Sequence, residues 1–252
     1  MPVPAIDLNA DVGEGVATAA DEVALLELVT SASLCCGAHA GTPESLSAAV
    51  SATVSAGTVA GAHPSYPDRL HFGRRPLDME PGTLARSLAG QLATVADALH
   101  GAGAELRYVK PHGALYHRAC TDQATARLLC AAAEHAGAPV LLLAAGAVTA
   151  AALSAAGLRV AAEGFADRAY LPDGSLAPRQ EEGAVILDEA AVVEQALSIA
   201  LDHRAPALGG RWVEVHADSL CLHGDTPGAA RLAAAVRRAL EEARVQLVPF
   251  AP

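Results

Sequence analysis

Residues 5–15 read AIDLNADVGEG, an apolar run that leads into polar residues. Side chains alternate along an extended strand, so Asp7, Asn9 and Asp11 share one face. Burying three polar side chains on one face of a strand costs free energy unless they form hydrogen bonds or ion pairs, or bind a ligand. The same succession returns in residues 58–64, TVAGAHP, and it indicates strands that each lead into a polar group.

Apolar runs at intervals predict the strands, and the longer Ala/Leu-rich stretches between them predict the helices. The predicted strands are residues 5–8, 33–36, 58–62, 106–109, 140–143, 159–162, 212–215 and 220–222. The predicted helices are residues 22–29, 43–56, 83–102, 122–136, 148–155, 190–201 and 226–243, and the long predicted loops are 65–76 and 165–183. Strands separated by helices indicate parallel βαβ units, and we expect one α/β barrel domain over residues 1–252.

The composition excludes several classes of protein. The formal net charge of −11 argues against a track for nucleic-acid phosphates and against docking on an anionic membrane. No window approaches the roughly 20 apolar residues of a membrane-spanning helix, and the amino terminus lacks the features of a signal peptide. The five cysteines are odd in number and have no C-x-x-C spacing, so we expect a reducing, cytoplasmic environment.

Two histidines, His39 and His63, each lie at the end of a predicted strand. Imidazoles and a carboxylate are common ligands of Zn²⁺ and similar ions, which makes His39, His63 and Asp11 the candidate ligands of a divalent metal. The same imidazoles could instead supply a general acid and base, since the ordinary pKa of histidine is about 6.5. A purely structural histidine is the alternative at each position.

The candidate catalytic residues are polar groups at the ends of predicted strands: Asp7, Asn9, Asp11, His63, Lys110 and His112. The first three could hold a metal, act as general bases or bind an amide, or the two aspartates could cap helices and pair with arginine. Lys110 is the only lysine among the 17 Lys and Arg residues. It could hold an anion, act as a base if burial lowers its pKa, or pair with a core aspartate.

The candidate substrate-binding residues lie mostly in segments that follow the predicted strands: Glu14, Arg74, Arg75, Tyr116, Glu163, Arg168 and His223. Paired arginines in a glycine-containing loop suit a carboxylate or a phosphate, although a solvated loop with Asp68–Arg pairs gives the same pattern. Asp225 and Thr226 precede Pro227 and fit a helix N-cap, which leaves His223 as the better candidate in that segment.

Signals for a nucleotide site or a serine hydrolase are missing from the sequence. The only lysine lies in VKPHG rather than in a P-loop, no G-x-G-x-x-G stands between a strand and a helix, and no G-x-S-x-G occurs. Cys36, close to a histidine, could be a nucleophile, and packing is the alternative. The chain therefore has no recognisable ATP site of its own.

Six blocks, in this order, closely resemble the LamB/YcsF family of 5-oxoprolinase A subunits. The blocks are residues 6–15, 31–43, 61–75, 108–116, 163–170 with 173–179, and 222–228. They span nearly the whole chain, and the ordered set is more specific than any single block. The resemblance implies a single (β/α) barrel of the glycoside hydrolase/deacetylase type, an incomplete barrel with seven parallel strands.

Two segments depart from the family pattern. The family usually has Gly-Phe-His-Ala-Gly-Asp where residues 37–42 read GAHAGT, so Ala38 and Thr42 replace the aromatic residue and the acid. His71 stands where the family usually has a glycine before its Phe-Gly-Arg-Arg run. If the missing acid caps the following helix, Thr42 replaces it adequately, whereas an acid that contacts substrate or metal would be lost.

The resemblance implies cleavage of 5-oxo-L-proline to L-glutamate, coupled to ATP hydrolysis, in a complex with subunits B and C. In this hypothesis B and C supply the ATP chemistry and this chain handles the activated ring. A stand-alone metal-dependent deacetylase or amidohydrolase is one alternative, and it would act without ATP. A non-catalytic scaffold subunit is another, but the dense set of ionisable residues weighs against it. The number of copies in an assembly, including a homo-oligomer, stays open.

Overall fold

The structure, a computed structural model, describes residues 3–157, 159–223 and 228–251. Its strands are β1 (Ala5–Val12), β2 (Ser31–Cys35), β3 (Val59–His63), β4 (Tyr108–Val109), β5 (Val140–Ala144), β6 (Arg159–Phe165), β7 (Arg204–Pro206), β8 (Trp212–Glu214), β9 (Ser219–Leu222) and β10 (Gln246–Leu247). Its α-helices are α1 (Ala19–Leu26), α2 (Pro43–Ala56), α3 (Pro81–Gly101), α4 (Gly113–Thr121), α5 (Gln123–His135), α6 (Ala150–Ala155), α7 (Glu189–Asp202) and α8 (Ala229–Glu242). Within the described ranges, no helix has the length and apolar composition needed to cross a bilayer.

Seven parallel strands form a closed barrel. Strands β1 to β6 pair in chain order, β6 pairs with β9, and β9 returns to pair with β1. At this seam Ser219 of β9 is in register with Asp7 on one side and with Glu163 on the other. The expected seven-stranded (β/α) barrel is confirmed, and its ring of strand pairs is complete.

Three short strands lie outside this ring. Strands β7 and β8 form a separate antiparallel pair, so the strand predicted at residues 212–215 exists but is not part of the barrel. Strand β10 extends the sheet beside the first residues of β1, where Ala5 is in register with Gln246. The sequence does not predict β7 or β10, because runs of two or three residues carry no periodicity.

Local signals fix helix α2 completely. The Thr42 side chain accepts a hydrogen bond from the backbone N–H of Ser45, the Ser45 hydroxyl accepts one from the N–H of Thr42, and Pro43 occupies the first helical position. Gly57 ends the helix at a φ of 68°, in the left-handed region that favours glycine. The predicted bounds 43–56 are confirmed, and Thr42 caps the helix at the position where the family usually has an acid.

Strands β1 and β6 are longer than the predicted strands 5–8 and 159–162. Asn9, Asp11 and Glu163 therefore lie inside strands, and the expectation that they follow strand ends is wrong. Polar residues usually mark the end of a buried strand, but here they face the barrel interior, where they pair with one another. The pairing partners are distant in sequence, so no local pattern reveals them.

Helix α4 is missing from the sequence prediction. The run Pro111-His112-Gly113 resembles a break, and Gly113 has a φ of 56°, yet the helix begins at this glycine. The last predicted helix, residues 226–243, corresponds to α8. Its predicted start, with the Asp225 and Thr226 cap, lies outside the described residues.

The two faces of β1 separate the apolar core from a polar barrel interior. Asp7, Asn9 and Asp11 contact other polar groups inside the barrel, whereas the residues between them pack in the main hydrophobic core. At the amino-terminal ends of the strands, a small apolar cluster that includes Tyr108 and Phe250 fills the barrel. The polar groups are thereby closed off at one end and open at the other.

Candidate active site

A cavity of about 300 Å³ opens at the carboxyl ends of the barrel strands. Strands β1 and β3 contribute Asp11 and His63, and the segments after β4 and β9 contribute Lys110, His112 and His223. These residues meet because parallel strands in a barrel direct their carboxyl ends to one face. We take this cavity as the candidate active site.

Asp7 lies deeper in the barrel and does not line the cavity. Its fully buried carboxylate accepts hydrogen bonds from the hydroxyls of Thr30 at 2.6 Å, Ser31 at 2.6 Å and Ser219 at 2.5 Å. Burial raises its pKa to about 6, although these hydroxyls oppose the shift. The surroundings of Asp7 are those of a structural carboxylate, held below the site by three strands.

Lys110 is the centre of the buried polar network. Its Nζ lies 2.9 Å from Asp11 Oδ1, 2.8 Å from Glu163 Oε1 and 3.0 Å from Asn9 Oδ1. Asn9 in turn donates from Nδ2 to Glu163 Oε1 at 3.0 Å. The second oxygen of Glu163 accepts a hydrogen bond from the hydroxyl of Tyr116 at 2.7 Å. Five predicted site residues, Asn9, Asp11, Lys110, Tyr116 and Glu163, therefore form one connected group.

The charge states of this network follow from its contacts. Burial alone would lower the pKa of Lys110, but the carboxylates of Asp11 and Glu163 outweigh it and raise that pKa well above its usual range. Burial would also raise the pKa of Asp11, but His63 and Lys110 outweigh it and hold that pKa far below normal. Lys110 is thus an ammonium donor, and the alternative in which it acts as a base does not fit this geometry.

Three imidazoles and a carboxylate form a second group beside this network. His63 Nε2 lies 2.9 Å from His112 Nδ1, and the ring of His39 stacks on that of His112 with 3.8 Å between centroids. Glu14 Oε1 lies 2.9 Å from His39 Nε2 and 3.6 Å from His112 Nδ1. One nitrogen or oxygen from each residue lies within 4.8 Å of the others, close enough to hold a single metal ion.

Burial keeps two of these imidazoles neutral. It lowers the pKa of His63 to about 3, against the attraction of Asp11, and it lowers the pKa of His112 well below its usual range. Asp11 Oδ2 lies 3.4 Å from His63 Nε2, but Asp11 belongs to a different group of possible ligand atoms, with Cys221 and His223. The histidine group therefore includes His39 and His63 of the predicted metal set, and adds His112 and Glu14 in place of Asp11.

The arginines differ in what they can contact. Arg74, Arg168 and Arg179 line the cavity, whereas Arg75 is exposed and does not. Arg168 donates from Nε to Ala184 O at 3.2 Å and from Nη2 to a second carbonyl at 2.6 Å, so much of this buried guanidinium holds the 165–183 loop together. Burial lowers its pKa to about 10, which still leaves it cationic.

Arg179, His117 and Gln180 line the cavity but are not among the predicted site residues. His117 lies in helix α4, and the other two lie in the 165–183 loop. Because none of them follows the end of a strand, the search for polar residues at strand ends does not identify them. The only sequence signal for Arg179 is its place at the end of the resembling block 173–179.

His223 is fixed by a buried aspartate. Its Nδ1 lies 2.8 Å from Asp167 Oδ1, and its backbone N–H donates to Asp167 Oδ2 at 3.2 Å. The imidazole also stacks on Phe165, with 5.8 Å between centroids. His223 therefore presents a fixed ring to the cavity, and Asp167 orients it.

Two glycines allow the 65–76 loop to close over the histidines. Gly73 has a φ of 63°, and a Cβ there would lie 2.7 Å from Ser65 Oγ and 2.9 Å from His39 Cβ. A Cβ on Gly113 would lie 2.5 Å from the Gly73 carbonyl oxygen. This close approach brings the carbonyl of Phe72 within 2.9 Å of His112 Nε2.

Cys36 is buried and does not line the cavity. Burial raises the pKa of its thiol well above the usual range. Packing is therefore the interpretation that fits Cys36, and the nucleophile alternative does not.

Comparison with known proteins extends over nearly the whole chain. A protein from Streptomyces coelicolor, named as the A subunit of 5-oxoprolinase, is 47% identical over 250 residues, covering 98% of this chain and 100% of that protein. The protein of the same name from Thermus thermophilus is 41% identical and covers 97% of this chain and 99% of its own. The similarity therefore extends over nearly the whole length of both chains rather than over a shared segment.

Solved structures show the same fold. The crystal structure of the Lactam Utilization Protein from another strain of Thermus thermophilus has a TM-score of 0.88 and 40% identity, covering 98% of this chain and 100% of that one. A structure described as T48 deacetylase with substrate has a TM-score of 0.51 and 14% identity, covering 98% and 88%, and shows likeness of fold alone. The profile of the LamB/YcsF family matches residues 6–252. This chain belongs to the LamB/YcsF family.

Proposed function

We propose that this chain is the A subunit of an ATP-dependent 5-oxoprolinase, which opens 5-oxo-L-proline to L-glutamate together with subunits B and C. The observation that carries the proposal is the similarity over nearly the whole chain, at 43–47% identity, to proteins named as the A subunit of 5-oxoprolinase. The cavity of about 300 Å³ is at the small end of ligand pockets, which favours a small substrate.

The substrate has a carboxylate and a lactam amide, and the cavity offers partners for both. Arg74 and Arg179 line it, and guanidinium groups are suited to carboxylates. The ammonium of Lys110 and the hydroxyl of Tyr116 also line it, beside the ionised Asp11. In our proposal the arginines hold the carboxylate, and Lys110 faces the lactam oxygen, where negative charge develops during hydrolysis.

The need for ATP follows from the chemistry of the ring. A five-membered lactam is an unreactive amide, and phosphorylation of its oxygen makes the ring carbon electrophilic. We assign this phosphoryl transfer to B and C, since the sequence of this chain contains no nucleotide-binding motif. Water then adds to the carbon, the ring C–N bond breaks, and the nitrogen leaves as the amine. A second water hydrolyses the acyl phosphate that results, which gives the side-chain carboxylate of glutamate and inorganic phosphate. Asp11 is the ionised group placed to orient the first water.

A stand-alone metal-dependent amidohydrolase or deacetylase is the second candidate, favoured by one specific observation. Donor atoms of Glu14, His39, His63 and His112 converge beside the cavity, as a hydrolytic metal site requires. This candidate acts without ATP and without partner subunits, so the two functions differ in a simple assay.

The test measures glutamate released from 5-oxo-L-proline by the purified chain, alone and with its B and C partners, with and without ATP. We expect glutamate only from the complete mixture. We also expect Asp11→Asn to abolish it, whereas Glu105→Gln, at a carboxylate that is 79% exposed, leaves the rate unchanged.

Other outcomes would reject the proposal. Full activity of the chain without B and C would show that the phosphoryl transfer does not depend on those subunits. An inactive complete mixture, together with ATP-free hydrolysis of acetylated or amide substrates by the chain alone, would establish the second candidate. Undiminished activity of Asp11→Asn in the complex would instead favour a scaffold subunit.

A further inference from the structure

Two backbone carbonyls fix the tautomers of His63 and His112. His63 Nδ1 lies 2.8 Å from the Lys110 carbonyl oxygen, and His112 Nε2 lies 2.9 Å from the Phe72 carbonyl oxygen. A carbonyl oxygen only accepts hydrogen bonds, so each of these ring nitrogens carries the proton. In a neutral imidazole the other nitrogen then has no proton and presents a lone pair.

The two remaining nitrogens point at each other. His63 Nε2 and His112 Nδ1 are 2.9 Å apart, and in neutral rings both are acceptors. Two facing lone pairs at this distance repel unless a positive charge lies between or beside them. The arrangement calls for a cation that both nitrogens share, and a bound metal ion or a shared proton would serve.

The surroundings supply a further ligand for a metal, the Glu14 carboxylate. The Glu14 carboxylate and the His39 imidazole lie within 4.8 Å of both nitrogens, and their side chains are 7% and 0% exposed. His39 Nδ1 is buried with no hydrogen-bond partner among the described residues. Because the His39 ring is parallel to that of His112, it lies beside a shared ion rather than binding it, and its unpartnered nitrogen is a further unsatisfied polar atom in this cluster.

We propose that His63 Nε2 and His112 Nδ1 bind a divalent transition-metal ion of the Zn²⁺ class, with the Glu14 carboxylate as its third protein ligand. Imidazole-rich donor sets suit Zn²⁺ and its neighbours, whereas Mg²⁺ and Ca²⁺ prefer oxygen ligands. Asp11 is a positioning residue here, because its Oδ1 already contacts the Lys110 ammonium at 2.9 Å.

This site is independent of the ATP-dependent reaction proposed above, since it is argued from hydrogen bonds and donor types alone, and it is the metal site that the second candidate function requires. His63, His112 and Glu14 also line the cavity. An ion bound there would supply a Lewis acid for an oxygen atom of a substrate in the cavity. The carbonyls of Lys110 and Phe72 then act as the groups that orient the ligating rings.

The experiment uses the full chain without partners, substrate or ATP. The protein is treated with chelator, dialysed, and titrated with Zn²⁺ by calorimetry, and the bound metal is measured by elemental analysis. Co²⁺ serves as a second probe, because its visible absorption reports nitrogen and oxygen ligands. We expect one ion per chain, and at least about 100-fold weaker binding in His63→Asn and in His112→Gln. The matched control is His216→Ala, at a histidine that is 70% exposed.

Circular dichroism identifies any variant that fails to fold. If both variants are unfolded, Glu14→Gln replaces them, and the wild-type chain supplies a further measurement, since Zn²⁺ should raise its Tm in proportion to binding. Absence of stoichiometric binding by the wild-type chain would overturn the proposal and leave a shared proton between the rings. Unchanged binding in the folded variants would also overturn it. Neither result bears on glutamate release by the complex, which is assayed separately.

Discussion

Lys110 is a buried ammonium in contact with the carboxylates of Asp11 and Glu163. Replacement by methionine leaves both carboxylates without their cation, so we expect Lys110→Met to lose roughly 3–5 kcal/mol of unfolding free energy. Urea denaturation measures this loss. Arg107→Ala is the control, because the Arg107–Glu105 pair is at the surface and its loss should cost less than about 1 kcal/mol. Equal stability of Lys110→Met and wild type would contradict the charge pairing of Lys110 with these carboxylates.

Asp7 offers a different kind of residue test, because burial raises its pKa from 3.8 to about 6. The folded state therefore holds this proton more tightly than the unfolded chain does. The contribution of Asp7 to stability is largest below pH 4, declines as the pH rises to about 6, and is constant above that. The shift of about two pH units corresponds to roughly 3 kcal/mol.

Asp7→Asn should remove this pH dependence. Between pH 4 and pH 7, we expect the wild type to lose up to roughly 3 kcal/mol of unfolding free energy relative to Asp7→Asn. Chemical denaturation at a series of pH values gives this difference, in which the other carboxylates cancel. A difference that does not vary with pH would place the pKa of Asp7 near its ordinary value.

Arg179 and Arg75 form a matched pair, since the first lines the cavity and the second does not. If Arg179 holds the substrate carboxylate, Arg179→Ala should raise KM for 5-oxo-L-proline roughly 10- to 100-fold in the complete complex, with a smaller change in kcat. Arg75→Ala should leave both constants near their wild-type values. An unchanged KM in Arg179→Ala would remove this arginine from substrate binding.

At the scale of elements, the approach of the 65–76 loop to His39 and His112 depends on Gly73. Gly73→Ala has two destabilising effects. Alanine is strained at a φ of 63°, and its Cβ would clash with Ser65 and His39. Gly146→Ala is the control, because Gly146 has a φ of 82° but no atom within 4 Å of a Cβ. We expect Gly73→Ala to be roughly 1–3 kcal/mol less stable than the control in urea denaturation and to lose activity. Equal loss of stability in the two variants would show that the contact adds nothing to the strain.

The helices and strands also show which parts of the fold can be predicted from the sequence. Helix α2 is predicted to the residue, since its Thr42 cap, Pro43 and Gly57 are all local signals. The extents of β1 and β6 are not, because Asp11 and Glu163 are stabilised inside the barrel by Lys110, which is distant in sequence. Contacts between residues distant in sequence also limit the prediction of the candidate site. Strand-end positions place Lys110 and the histidines at the barrel mouth, whereas no local pattern gives the facing nitrogens of His63 and His112.

The whole molecule separates its two barrel ends by function. The candidate site occupies the carboxyl ends of the strands, and the opposite end is filled by Phe250, whose ring lies 4.8 Å from that of Tyr108 and whose carbonyl accepts a hydrogen bond from Arg159. In α/β barrels the carboxyl-end face carries catalysis and the amino-end face carries stability. The carboxyl-terminal segment should therefore stabilise the barrel without contributing to substrate binding.

Phe250→Ala tests this separation. It removes a partly buried ring from the base of the barrel, so we expect a loss of roughly 1–3 kcal/mol in unfolding free energy. Val248→Ala, at a side chain that is 45% exposed, should cost much less. Below the unfolding transition, both variants should keep the wild-type KM and kcat in the complete complex, because neither residue lines the cavity. A raised KM in folded Phe250→Ala would mean that the base of the barrel controls the geometry of Lys110 and its partners, and that the two ends are coupled.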